Sequence, residues 1–438
     1  MRQRLLSEGA SELSYEIREI VKKAHQIQDL GYTIFWENIG DPVQKHYQLP
    51  DWIKDTVVEL LRDNSTFGYC DSKGVLETRQ FLAELNNQRQ GAQITSDDVL
   101  FFNGLGDAIS KLYQYLVPTS RVIGPSPSYS THSSAEASHA NHHPITYNLD
   151  PNNSWFPDLD DLYMKIKYNP NIVGILLINP DNPTGVVYPK EILEAIVEMA
   201  RAFDLFLVAD EIYLNITYNG AKAFALAEVI DDVPGISMKG ISKELPWPGA
   251  RCGWMEFYNR HQSADFDQYC STLENAKMIE VCSTKLPQLA IPKIMSDSRY
   301  PEYRQEFNEA IGRRSRIISE LLADIPSITF NPTYGAFYNT IIFQDGVLQP
   351  GQQLAIEDER ATQLLQQWLD QEPEMALDKR FVYYLLAAKG VCVVPISSFC
   401  SDLHGFRVTL LENDEDILRE TFTRIREAVI EFTQSGEY

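Results

Sequence analysis

Gly240-Ile241-Ser242-Lys243-Glu244-Leu245-Pro246-Trp247-Pro248-Gly249-Ala250-Arg251-Cys252-Gly253-Trp254 is the stretch around which the rest of this 438-residue chain is arranged. It sets a lysine ahead of a Pro-Gly turn and an arginine just beyond it. A sharp bend there brings an amine and a guanidinium close together. The guanidinium can grip an oxyanion through two parallel N–H bonds. A desolvated lysine beside it loses affinity for its proton and becomes a nucleophile toward carbonyls. One small molecule carrying both a phosphate and an aldehyde would satisfy the pair. Taken singly, a lysine is more often just another solvated charge, and Lys239 stands close by as a rival. The surrounding pattern is what singles out Lys243.

That pattern, Ser-Lys, a short spacer and then Pro-Gly-x-Arg-x-Gly-Trp, resembles the Schiff-base signature of fold-type I aminotransferases of the class I/II (alanine- and aspartate-type) family. The resemblance implies pyridoxal 5'-phosphate as cofactor. Lys243 would bind it covalently and act as the catalytic acid/base, and Ser242 and Arg251 would hold its phosphate. Lys243 alone stands at the family's distance from the Pro-Gly. The family's hydroxyl three residues before the lysine is replaced by Gly240, so one phosphate ligand is either missing or supplied elsewhere.

Upstream, Leu205-Phe206-Leu207-Val208-Ala209 reads as a buried strand ending in Asp210-Glu211-Ile212-Tyr213. A carboxylate at the mouth of a parallel sheet is costly without a cationic partner. A pyridinium nitrogen is such a partner, and a helix cap is the plainer alternative. The resemblance gives Asp210 a catalytic and cofactor-binding role and puts the Tyr213 phenol on the phenolic oxygen of the cofactor. The near-continuous apolar run Ile172–Ile178 reads as a strand buried on both faces. It leads into Asn179-Pro180-Asp181-Asn182-Pro183-Thr184-Gly185, which is far more specific than a turn requires. In the family this loop's second asparagine, here Asn182, binds the cofactor's phenolic oxygen and borders the substrate. Asn182-Pro183 is a candidate cis bond.

Val99-Leu100-Phe101-Phe102 and then Asn103-Gly104-Leu105-Gly106 read as strand and glycine turn, with a helix from Ala108 to Leu116. Such a helix start aims free N–H groups and the helix dipole at a phosphate. A Rossmann site would want a further glycine or alanine where Ile109 stands. The resemblance puts the Leu105 and Gly106 amides on the cofactor phosphate. After the strand Arg121–Gly124, Tyr129 takes the place of the ring that stacks on the pyridine, a cofactor-binding and catalytic position. His132 would support the aspartate from behind, or it is simply a satisfied histidine.

Tyr69, in Tyr69-Cys70-Asp71-Ser72-Lys73-Gly74, reads on its own as a packing residue, but the stretch resembles the family element that reaches across a dimer to the partner's cofactor phosphate. The family's usual leucine before Arg79 is Thr78 here. Gly40, in Asn38-Ile39-Gly40-Asp41-Pro42, is either a turn former or a substrate-side glycine. Arg407, inside the strand pattern Gly405–Leu410, would clamp the substrate α-carboxylate; otherwise it is a surface arginine. Residues 12–30 read as an amphipathic helix through Ile17, Ile20, Val21, Ala24 and Ile27. Residues 272–322 read as largely helical, and 190–203 as a helix. Tyr334–Tyr338 and Val391–Pro395 read as strands, and Gln344–Glu359 as a polar loop of unassigned purpose.

The totals leave room for small anionic substrates, since a local arginine outweighs a distant average charge. With 38 basic and 61 acidic residues the net charge is −23, which argues against nucleic-acid or anionic-membrane binding. The 6 cysteines are scattered, with no metal-binding spacing and no disulfide framework, so no metal is expected and a cytoplasmic location is. Neither a signal peptide nor a membrane span is legible.

The expected fold class is therefore α/β: a fold-type I PLP-dependent transferase. A large PLP-binding domain (50–300), a mostly parallel sheet flanked by helices, would be joined by a small α/β domain built from 1–49 and 301–438. The Tyr69 role implies a homodimer. The function implied is transfer of an amino group from an L-amino acid, alanine or another small or neutral one, to a 2-oxo acid. The alternatives are a lyase or decarboxylase of the same fold, and a cofactor-sensing regulator. The regulator would need a DNA-binding module, and the residues before Ile39 show no basic helix-turn-helix pattern.

Overall fold

The computed structural model describes residues 5–13 and 17–435. Its centre is an 8-stranded sheet. Five strands run parallel in the order Gly235–Gly240, Phe206–Asp210, Ile172–Ile178, Arg121–Ser126, Thr146–Asp150. Phe156–Pro157 closes one edge antiparallel. At the other edge Gly253–Tyr258 runs antiparallel to Gly235–Gly240, and Val99–Phe102 runs antiparallel to Gly253–Tyr258. Two reversals return Val99–Phe102 to the common direction. The loops after residues 102, 126, 178, 210 and 240 therefore leave the sheet at the same end, where open α/β sheets bind their ligands.

The apolar runs form strands because both faces are covered. Leu176, Ile178, Val208 and Met238 pack on one side against Ala108, Ile109, Leu112 and Leu273. Ile175, Leu177, Leu207 and Ala209 pack on the other against Leu193, Ile196 and Ala200. Alternation along each strand splits its side chains between the two layers. Burying each such side chain contributes about 1.5–3 kcal/mol. Gly174 is small because its neighbour is not: a Cβ there would lie 2.9 Å from the Phe206 ring.

A third core joins Ile20, Ala24 and Ile27 to Ile311, Phe337, Phe381, Phe406 and Phe422. Beside it lies a 4-stranded sheet in the order Ile328–Phe330, Tyr338–Phe343, Gly405–Thr409, Val394–Pro395. No helix of the described residues is long and apolar enough to cross a membrane.

Several boundaries differ from the sequence reading. The first long helix is Ile17–Asp29, preceded by a short 3₁₀ turn at Glu8–Glu12; residues 14–16 and the Ile17 side chain lie outside the described residues. Its apolar face splits, with Ile20, Ala24 and Ile27 buried in the core while Val21 faces a cavity. The helix placed at Ala108 begins at Leu105, because Gly104 at φ 85° turns the chain directly into it. The strand placed at 334–338 begins only at Tyr338: Ala336 is left-handed at φ 54°, and Gly335 makes an isolated bridge to Thr217. Val391–Pro395 is two short strands, pairing respectively with Phe35–Trp36 and with Gly405–Thr409. The cis peptides are Ser126-Pro127 and Asn179-Pro180, so Asn182-Pro183 is trans. The loop is instead held at Asn179, whose side-chain oxygen accepts the Tyr188 N–H at 2.9 Å.

Candidate active site

At the common end of the sheet lies a cavity of about 660 Å³. Residues that the sequence singled out from distant parts of the chain meet there: Gly40, Leu105, Gly106, Tyr129, Asn182, Asp210, Tyr213, Ser242, Lys243, Arg251 and Arg407. Tyr69 is not among the lining residues; it is 83% exposed on the loop before Gly74.

Lys243 follows the strand Gly235–Gly240 on a tight turn, and its Nζ donates to the Gly40 carbonyl at 2.6 Å. Its ammonium also lies 5.7 Å from the centre of the Phe337 ring. Lys239 points elsewhere, held in a buried cluster by Glu256 at 2.5 Å and Glu211 at 3.5 Å. The paired lysine is thus set apart from the one in the cavity. Gly240 cannot simply be exchanged for a hydroxyl residue, since a Cβ there would lie 3.0 Å from the Cys252 carbonyl and 3.1 Å from Ile212. Ser242 lines the cavity beside Lys243.

One wall is built to take an anion. The Leu105–Gln114 helix starts at the cavity, and its first N–H groups have no intrahelical acceptor. A Cβ on Gly106 would meet nothing within 4 Å, so this backbone borders open space. A Cβ on Gly104 would lie 2.6 Å from an Arg251 guanidinium nitrogen. Arg251 is thereby pressed against the helix start, in a left-handed conformation at φ 50°. Its Nη1 donates to the Pro248 carbonyl at 3.1 Å.

Asp210 also lines the cavity, at the end of its strand. Its Oδ1 accepts the Ile212 N–H at 3.1 Å, and its Oδ2 lies 3.1 Å from His132 Nε2. No helix follows Asp210, so the bond to Ile212 closes a turn and the helix-cap alternative does not hold. Tyr129 is the residue preceding the Ser130–Ala140 helix, and its ring centre lies 6.5 Å from that of His132, edge to face. The Tyr213 phenol lies 3.0 Å from the Tyr338 phenol. Burial, together with that neighbouring phenol, pushes the Tyr213 hydroxyl well above its ordinary pKa, so it remains a proton donor.

Arg407 is buried within the Gly405–Thr409 strand, not on the surface. Its Nη1 donates to Asn182 Oδ1 at 3.3 Å and its Nη2 to the Asn38 carbonyl. The guanidinium also stacks on Tyr338, 4.5 Å from the ring centre, and Phe399, 5.1 Å away. Its Nε, though buried, has no partner. A buried cation with an unused donor is poised for an anion.

Asn38 and Tyr338 border this cavity too, and sequence reasoning did not assign them a role. Asn38 was visible only as a neighbour of Gly40. Tyr338 looked like any strand aromatic, and nothing local marks its contact with Tyr213, which is far away in the chain.

The donor set fits pyridoxal phosphate. Helix amides and a guanidinium suit the phosphate, a buried carboxylate suits the ring nitrogen, a phenol and an amide suit the ring oxygen, and an amine suits the aldehyde.

Comparison with known proteins gives the same answer. The family model "Aminotransferase class I and II" matches residues 37–424. An uncharacterized aminotransferase of Methanocaldococcus jannaschii is 53% identical over 435 residues, covering 99% of this chain and 100% of that protein. The glutamate-pyruvate aminotransferase AlaA of Escherichia coli K12 is 33% identical over 328 residues, 74% of this chain and 79% of that one. Among solved structures, an aminotransferase from Escherichia coli superposes with a TM-score of 0.84 at 26% identity, covering 99% of this chain and 100% of that one. An alanine aminotransferase from Pyrococcus furiosus gives 0.83 at 26%, covering 96% and 98%. A chain that carries the lysine, aspartate and arginine of one cavity, and matches the family model through almost its whole length, belongs to the class I and II aminotransferases, which work with pyridoxal phosphate on amino acids and 2-oxo acids.

Proposed function

We propose that this aminotransferase exchanges the amino group between a small neutral L-amino acid, alanine first, and a 2-oxo acid such as 2-oxoglutarate. The observation that carries the reading is the Lys243–Gly40 contact of 2.6 Å in the cavity that Asp210 and Arg407 also line. The choice of alanine is supported by relatives named glutamate-pyruvate and alanine aminotransferases.

The cofactor supplies the aldehyde that carries the amino group and a ring that takes up electrons. Leu105, Gly106, Ser242 and Arg251 are the residues to hold its phosphate. Asp210, backed by His132, is the partner of the ring nitrogen, and Asn182 and Tyr213 of the ring oxygen. Tyr129 covers the ring face. Arg407 grips the substrate α-carboxylate and so sets which bond at Cα faces Lys243, while Gly40 leaves the substrate room. Lys243 Nζ takes up the Cα proton and would pass it to the carbon that was the cofactor's aldehyde, a general acid/base step contributing roughly 10²–10⁴-fold.

Tyr69 belongs, on this reading, to the cavity of a second copy, making a homodimer. Its loop lies against the segment of Ser283 and Lys285, since Lys285 Nζ donates to the Ser65 carbonyl at 2.5 Å and the Cys70 thiol lies 3.9 Å from the Ser283 carbonyl. Both segments expose apolar side chains, Phe67 at 72% and Ile279 at 88% among them. An exposed patch of this kind marks a contact surface. The division into a large domain (50–300) and a small one from both termini (1–49 and 301–438) is consistent with the separate core around Phe337 and Phe381. All 6 cysteines are free thiols, which supports a reducing, cytoplasmic setting.

A single turnover tests the reaction. The reconstituted enzyme mixed with L-alanine and no acceptor should release pyruvate stoichiometrically, and 2-oxoglutarate should then restore the starting spectrum. Release of ammonia or carbon dioxide instead would overturn the reading.

A further inference from the structure

Asn38 is 1% exposed and lines the cavity, yet neither its side-chain Nδ2 nor its Oδ1 has a hydrogen-bond partner. An amide buried without partners is costly, and native structures rarely keep one without a use. It is also held firmly in place. The Asn38 carbonyl accepts from Arg407 Nη2. Next to it, Glu37 Oε2 accepts from Thr409 Oγ at 2.5 Å, and Glu37 Oε1 accepts from Lys45 Nζ at 3.0 Å. Lys45 in turn reaches Glu412 at 3.2 Å. Arg407 and Thr409 lie on the same face of one strand, so that strand pins two successive residues of the N-terminal segment. The Asn38 backbone is thus fixed against the guanidinium, whose Nε is likewise unpartnered.

We infer that the Asn38 side chain is a substrate-binding group, whose amide N–H donates to the α-carboxylate of the amino acid or oxo acid alongside Arg407. The anion end of the substrate is chosen over its side chain because Arg407 bonds the backbone of this same residue. A planar guanidinium and an amide together offer more donors than the guanidinium alone, and a carboxylate has acceptor sites for both. The site would select carboxylates over amides or alcohols of the same shape. The inference rests on the reading of Arg407 as the carboxylate ligand.

The experiment uses the holoenzyme with propionate and succinate as unreactive probes, their binding followed by competition with L-alanine. Asn38→Leu, nearly the same size, and Asn38→Ala are compared with the wild type, with Arg407→Gln alongside. Asn38→Leu should weaken both probes and raise the KM for alanine and pyruvate about 10-fold or more, as for loss of a hydrogen bond to a charged group. Its Tm should hold or rise, since an unpaired amide is replaced by an apolar group, and cofactor affinity should not change. A lower Tm with unchanged probe binding in both Asn38 variants would make the residue structural and overturn the inference. Weakening confined to succinate would place Asn38 at the substrate's side chain and overturn it as well. If Arg407→Gln binds both probes like the wild type, it is the Arg407 reading that fails.

Discussion

His132 Nε2 lies 3.1 Å from Asp210 Oδ2, and both side chains are buried beneath the cavity. On its other side His132 Nδ1 lies 3.4 Å from the Tyr113 phenol, itself fully buried. Asp210 is thus the cavity-facing end of a row of polar groups that solvent does not reach. Its orientation is set by the Ile212 N–H of the following turn and by the imidazole. Asp210→Asn, which keeps the shape and loses the charge, should lower kcat on the order of 10²–10³-fold, as loss of a preorganised electrostatic group does. His132→Phe should cost less and leave the protein folded. Steady-state kinetics on the two variants, with circular dichroism for the fold, check the order of effects.

Arg407→Lys should raise the KM for alanine and pyruvate by about 10–100-fold, because an ammonium cannot reproduce two parallel bonds and loses the stack on Tyr338. The kcat should fall less than kcat/KM. Initial rates over a range of each substrate measure the split.

Gly240→Ser should fail to improve cofactor binding despite restoring the family's hydroxyl. The new Cβ would press on the Cys252 carbonyl and Ile212, so the variant should lose about 1–3 kcal/mol of stability. Chemical denaturation of the apo form and equilibrium dialysis with the cofactor test both halves.

Asp181 gives a pH signature. Burial raises its carboxyl to about 7, against the opposing effect of Thr184, whose N–H and hydroxyl donate to Oδ2 at 2.9 and 2.5 Å. The folded protein therefore holds a proton that the unfolded chain releases near 4. The stability this adds is full below about 4 and is lost as pH rises toward about 7. Asp181→Asn removes the proton from the balance and should flatten this part of the profile, with the variant relatively more stable at pH 8. Urea melts of both proteins from pH 4 to 8 give the comparison.

How much of this the residues announced depends on how local the chemistry is. Asn179–Gly185 and Ser242–Trp254 carry their spacing within one turn each, so the loop and the lysine were legible as strings. The buried strands were legible because Ile172–Ile178 is apolar throughout. Tyr334–Tyr338 misled because alternation says nothing of a left-handed residue at Ala336. Asn38 and Tyr338 stayed hidden because their partners, Arg407 and Tyr213, come from remote parts of the chain and meet only in the folded form. The distance to the Pro-Gly already separated Lys243 from Lys239, and the fold adds the Glu256 carboxylate that holds Lys239 in a different cluster.

The central claim is that Lys243 is the amine that binds the cofactor, and mapping its covalent adduct tests it most directly. Protein reconstituted with pyridoxal phosphate, reduced with borohydride and digested should carry the pyridoxyl label on the peptide containing Lys243, and Lys243→Ala should carry none. Label on Lys239, or no stable label on the wild-type chain, would contradict the account.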